Sequence, residues 1–142
     1  MSELVELDDG FDVRVHDAQV AFVTVAVQLK IGIRDGDGKY LIVTLSTPFE
    51  VRQDSEGEWI TLDPEMDDER LGVLAVRLRR ASVNRCHIGA DGTLAVEFGP
   101  NITISVAPCD RYESWDLEQE MFKVVSGPGG ELYIWDHNHR ES

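Results

Sequence analysis

Apolar and polar residues alternate in short bursts along most of the chain. Leu29, Ile31 and Ile33 are separated by Lys30, Gly32 and Arg34. That period of two turns one face of a strand toward a core and the other toward water. The same alternation recurs in Leu94, Val96 and Phe98, and again in Ile102, Ile104 and Val106. Residues 13–27 are rich in Val, Phe and Thr, which favour strands. Turn signals separate the bursts: Asp35-Gly-Asp-Gly, Asp91-Gly92, Gly99-Pro-Asn101 and Gly127-Pro-Gly-Gly130. Asp-Gly pairs between apolar runs mark hairpins, because glycine reaches the positive φ such turns need.

One segment has helical rather than strand spacing. Leu71, Leu74, Ala75 and Leu78 fall on one helical face. Asp63 is placed to cap this helix, with Pro64 at its first position. Glu65, Asp67, Asp68 and Glu69 suit the positive end of its dipole. The pattern predicts one helix near residues 64–75.

The two halves of the chain resemble each other. Leu29-Lys-Ile-Gly-Ile33, a turn, Leu41-Ile-Val-Thr-Leu45 and Pro48-Phe-Glu-Val51 run parallel to a second series. That series is Leu94-Ala-Val-Glu-Phe98, a turn, Ile102-Thr-Ile-Ser-Val106 and residues 108–115. The expectation is a mainly β (α+β) single domain over residues 1–142. It contains two pseudo-repeats, about 13–53 and 77–115, joined by the helix and followed by a polar tail from 136. Two hairpin units of this kind bury their apolar faces as a sandwich or a half-open barrel.

Composition narrows the function classes. The 142 residues carry 13 Lys+Arg against 27 Asp+Glu, a formal net charge of −14. Such a chain repels phosphate backbones and anionic membranes, and attracts basic proteins. No stretch approaches the ~20 apolar residues of a membrane helix. The acidic first ten residues are unlike a secretory signal, so the expected location is cytoplasmic. The acid is concentrated at residues 50–69, where nine carboxylates face Arg52 alone. Arg70, Arg77, Arg79, Arg80 and Arg85 form a basic cluster nearby. The simplest expectation is pairing between these two signs, plus a solvated acidic face.

Candidate catalytic chemistry is sparse. His137-Asn-His139 with Asp136 lies in the polar tail and lacks the rigid surroundings a metal centre needs. Cys86-His87 and Cys109-Asp110 match no metal-ligand spacing, so two core thiols are expected. The Asp35-Gly-Asp-Gly run lacks the Glu of a calcium loop, because Ser46 stands at the twelfth position. Gly127-Pro-Gly-Gly130 leads into a strand, whereas a phosphate loop leads into a helix. No catalytic residue, metal or cofactor is expected.

The carboxy half carries further motifs: Gly92-Thr-Leu-Ala-Val-Glu-Phe98, Tyr112-Glu113-Ser114-Trp115 and Gly127-Pro-Gly-Gly-Glu-Leu-Tyr-Ile-Trp135. Together they resemble a family of small, acidic, mostly actinobacterial β proteins of unknown function. The resemblance spans most of the chain and implies a fold but no mechanism. A looser likeness, in size and charge, is to bacterial toxin-immunity proteins.

The leading expectation is therefore a non-enzymatic protein-binding domain, of the immunity type, that neutralises a basic toxin such as a nuclease. Glu56, Glu58, Asp63, Glu65, Asp67, Asp68 and Glu69 would form its acidic surface. The alternative is a small-ligand-binding or enzymatic domain with a pocket at Tyr112, Glu113, Trp115 and Trp135. A third is a homo-oligomeric module built through an exposed strand edge. Any working surface is expected where the acidic run and helix meet the Tyr-Glu-x-Trp and Pro-Gly-Gly segments.

Overall fold

The structure, a computed structural model, describes residues 3–54 and 56–136. In chain order its strands are β1 (Glu3–Leu7), β2 (Gly10–Arg14), β3 (Gln19–Val25), β4 (Leu29–Arg34), β5 (Tyr40–Leu45), β6 (Phe49–Arg52) and β7 (Ile60–Leu62). The helix α1 (Asp68–Leu78) follows. Then come β8 (Val83–Gly89), β9 (Leu94–Phe98), β10 (Ile102–Val106), β11 (Trp115–Gln119), β12 (Phe122–Ser126) and β13 (Leu132–Asp136).

The strands form two open antiparallel sheets. One has the order β1-β2-β8-β9-β10-β6-β7 and the other β13-β12-β11-β5-β4-β3. The alternating apolar residues read from the sequence supply the core between them. Leu29, Ile31, Ile33, Leu41, Val43 and Leu45 from one sheet are buried together with Leu94, Val96, Phe98, Ile104 and Val106 from the other. The arrangement is a sandwich, and neither sheet closes into a barrel.

The strand order contains an exchange. The β4–β5 hairpin continues into β6, which leaves for the other sheet and pairs with β10. The β9–β10 hairpin continues into β11, which returns and pairs with β5. Thus β3 to β7 and β8 to β12 follow one path, and each unit's last two strands complete the other's sheet. The registers agree: Ile33 faces Leu41 as Phe98 faces Ile102, and Val51 faces Ile104 as Leu117 faces Val43. Each unit has a register shift at its start, between Val20 and Phe22 and between Val83 and Arg85. Where the units meet, Val20 N–H donates to the Ala81 carbonyl and Val83 N–H to the Ala18 carbonyl, at 2.8 and 3.0 Å. Asp17 and Arg80, the residues before those alanines, both adopt positive φ. In strand order the units run over 19–62 and 83–126, later than the expected 13–53 and 77–115.

The helix starts one turn later than its sequence pattern predicts. Asp63 Oδ1 accepts from the Glu65 N–H at 2.9 Å, and the Asp63 carbonyl accepts from Met66 and Asp67. Asp67 in turn bends its carboxylate back to the Asp63 N–H at 2.7 Å. Asp63, expected to cap the helix, instead closes a separate turn before it with Asp67, while Asp68 and Glu69 occupy the first turn of α1. Leu71, Leu74 and Leu78 then bury the apolar face of α1.

Candidate functional site

Four connections converge at one end of the sandwich. The β3–β4 turn brings Val27 and Gln28, and the β5–β6 crossover brings Ser46, Thr47 and Pro48. The turn before α1 brings Asp63 and Glu65, and the segment before β11 brings Tyr112 and Glu113. Together they line a groove of about 470 Å³. Its frame is hydrogen-bonded: Ser46 N–H donates to the Ser114 carbonyl at 2.8 Å, and Gln28 Nε2 donates to Ser46 Oγ at 2.8 Å. Asp63 is fixed by its own turn, whereas Glu65, Tyr112 and Glu113 are exposed. Three carboxylates line the groove and no lysine or arginine does.

The groove joins the acidic run to the Tyr-Glu-x-Trp segment but takes only part of each. Glu56 and Glu58 lie in the β6–β7 connection, three strand residues from Asp63, or roughly 10 Å along β7. Asp67 is committed to the turn, and Asp68 and Glu69 open α1. Among the described residues, no ion pair links the run 50–69 to the arginines of α1. The expected pairing of the two charge clusters is absent there, and the acidic face is the solvated one. Sequence reasoning missed Gln28, Ser46 and Thr47, since polar residues at strand ends carry no signal of their own.

The four residues of the alternative pocket do not share a cavity. Trp115 is 1% exposed, and its Nε1–H donates to the Gly92 carbonyl at 2.9 Å. Tyr112 lines the acidic groove. Trp135 lines a different depression on the outer face of the second sheet, with Tyr40, Ile42, Glu118 and Lys123. The glycine motif is also structural. Gly92 and Gly130 both have positive φ, and a Cβ on Gly130 would meet the Asp91 carbonyl oxygen. The β8–β9 turn thus rests on the β12–β13 connection, and Trp115 is tied to the first of these.

The remaining candidate groups lie apart from the groove. Cys86 is buried, and that burial pushes its thiol up to about 12. Cys109, expected in the core, is instead partly exposed, and the backbone N–H groups of Arg111 and Tyr112 lower its pKa. Asp12 holds β2 to β8 by accepting from His87 Nδ1 at 2.8 Å, with Arg85 Nη2 at 3.3 Å. Asp116 is half-buried on the second sheet's outer face; burial raises its pKa, Glu118 and Glu113 add to the rise, and Lys123 opposes it. Asp35 Oδ1 accepts from the N–H groups of Asp37 and Lys39, which accounts for the Asp-Gly-Asp-Gly run as a hairpin turn. Among the described residues, no three His, Cys, Asp or Glu side chains are grouped to hold a metal. His137 and His139 lie outside the described residues. No helix among the described residues is long and apolar enough to cross a membrane.

A family model described as a family of unknown function (DUF6188) matches residues 7–136. The chain belongs to that family. Comparison with curated proteins and with solved structures found no match.

Proposed function

We propose that this family member is a non-enzymatic protein-binding domain that takes a basic partner into the groove at Asp63, Glu65, Tyr112 and Glu113. The observation that carries this reading is the groove's lining, three carboxylates with no cation among them. A net charge of −14 steers a basic partner toward the molecule from any side. The groove supplies what a diffuse acidic surface lacks, a concave place where one Lys or Arg side chain is held by several carboxylates at once. Tyr112, 61% exposed at its rim, offers a ring against which a guanidinium stacks.

The more specific form of the proposal is an immunity-type role, in which the groove and the surrounding carboxylates cover the basic active site of a toxin such as a nuclease. Carboxylates standing in for phosphates would occupy that site and speed association. Glu56, Glu58, Asp68 and Glu69 then act as outlying steering charges, and Glu65 and Glu113 as contact residues.

Co-expression with the products of neighbouring genes tests the reading. A toxic, basic product should be neutralised by the wild-type chain and not by the folded Glu65→Lys/Glu113→Lys variant. Reversing Glu56 and Glu58 should slow association at low salt and leave dissociation nearly unchanged. Neutralisation that survives reversal of Glu65 and Glu113 overturns the assignment of the groove.

A further inference from the structure

The two sheets end in four edge strands, and three of them carry recognisable protection. An exposed edge presents unpaired N–H and C=O groups to any other strand, and proteins blunt it with charge, shortness or a bulge. Strand β1 carries Glu3 and Glu6, and β7 is three residues long. Strand β3 has a register shift between Val20 and Phe22 and lies against α1.

Strand β13 has the weakest protection of the four, a single charge, Asp136, at its last residue. Its sequence is Leu132-Tyr-Ile-Trp-Asp136, with no lysine, arginine or proline, and it pairs with β12 without a register shift. It is apolar and exposed on both faces. Tyr133 and Trp135, on the outer face, are 43% and 56% exposed, and Ile134, on the other, is 37% exposed. The hydrogen-bond parity of the strand follows from its hairpin. Gly127 N–H donates to the Glu131 carbonyl at 2.7 Å, so by antiparallel alternation Tyr133 and Trp135 point their peptide groups at β12. The N–H and C=O of Ile134 point away from the sheet.

We infer that β13 is a self-association edge, on which a second copy of this chain pairs antiparallel about Ile134. The strand is self-complementary in that register. Each Ile134 exchanges both peptide hydrogen bonds with its counterpart. Each Tyr133 faces the partner copy's Trp135 on the outer face, and the two Ile134 side chains meet on the opposite face. Cross-strand aromatic pairs of this kind stabilise antiparallel ladders. The two Asp136 residues fall at opposite ends of the contact, so the register sets no carboxylate against its own copy. The interface is isologous and closes as a two-fold dimer, joining two six-stranded sheets into one.

Salt separates this inference from the proposed groove. Two chains of charge −14 repel, so screening strengthens self-association, whereas it weakens capture of a basic partner. Sedimentation across a protein-concentration series, at low and high salt, gives the test. The wild type should form a dimer whose population grows with concentration and with salt, and the Ile134 amide should exchange more slowly as it forms. Ile134→Pro removes an outward donor without touching the β12 ladder, and should raise the dimer dissociation constant on the order of tenfold or more. Tyr133→Lys/Trp135→Lys keeps every N–H and should have the same effect by repulsion, which covers the case of a misfolded proline variant. A wild type that stays monomeric throughout the series, or a folded variant of either kind that dimerises as the wild type does, overturns the inference.

Discussion

Replacing Trp115 by Phe should cost far more than removing Tyr112, although both stand in one four-residue motif. Trp115 is 1% exposed and donates a buried hydrogen bond to Gly92. Phenylalanine leaves that carbonyl without its partner, at about 1–3 kcal/mol. It also removes part of a fully packed side chain, and with whole Trp-to-Ala truncations at about 3–5 kcal/mol the smaller change adds roughly 1–2. The sum is about 2–5 kcal/mol, a large share of the roughly 5–15 kcal/mol that holds a domain folded. For a chain of this size that lowers Tm by roughly 7–17 °C. Tyr112 is 61% exposed, and Tyr112→Ala should stay within about 0.5 kcal/mol. Urea and thermal denaturation of the three proteins decide it. The m-value of Trp115→Phe should equal that of the wild type, because the surface exposed on unfolding is nearly unchanged. A Trp115→Phe protein within about 0.5 kcal/mol of the wild type, or a Tyr112→Ala protein equally destabilised, would refute the division of this motif into a core anchor and an exposed rim.

Three further outcomes follow from the geometry. Gly129 and Gly130 both have positive φ, but only Gly130 faces another backbone. Gly129→Ala should cost about 1–2 kcal/mol in denaturation, and Gly130→Ala measurably more. Burial raises the Asp12 pKa, but the hydrogen bond with His87 and the charge of Arg85 outweigh it, and the net value lies below 3.8. The stability this carboxylate provides is therefore present above pH 3.8 and lost as pH falls through the lower folded value. Acid titration of Asp12→Asn should accordingly show a shallower loss than the wild type in that window. In the folded protein a thiol reagent should modify Cys109 quickly and Cys86 only on unfolding, and equal rates would contradict the burial of Cys86.

Much of this fold was legible because each sheet's inner face repeats every second residue. Leu29, Ile31 and Ile33, and likewise Leu94, Val96 and Phe98, are buried as their alternation implies. The helix was displaced by a turn because Asp63 and Asp67 serve each other before they serve α1, a competition between local hydrogen bonds that residue type leaves undecided. The exchange of β6 and β11 was not legible, since nothing local in Phe49 or Trp115 says which sheet it will join. The candidate groove was legible only in part. Charge pointed to Asp63 and Glu65 and the aromatic motif to Tyr112 and Glu113, and all four line one groove. Composition did not separate them from Glu56, Glu58 and Trp135, which lie elsewhere.

The most direct test of the groove is a titration of the isotope-labelled chain with a short arginine-rich peptide, followed by backbone chemical shifts. The account predicts saturable shifts centred on Gln28, Ser46, Glu65, Tyr112 and Glu113. They should weaken with salt and be lost in Glu65→Gln/Glu113→Gln. Shifts spread evenly over Glu56, Glu58, Glu118 and Glu120, and unchanged in that variant, would contradict it and leave the −14 charge as a diffuse property of the surface.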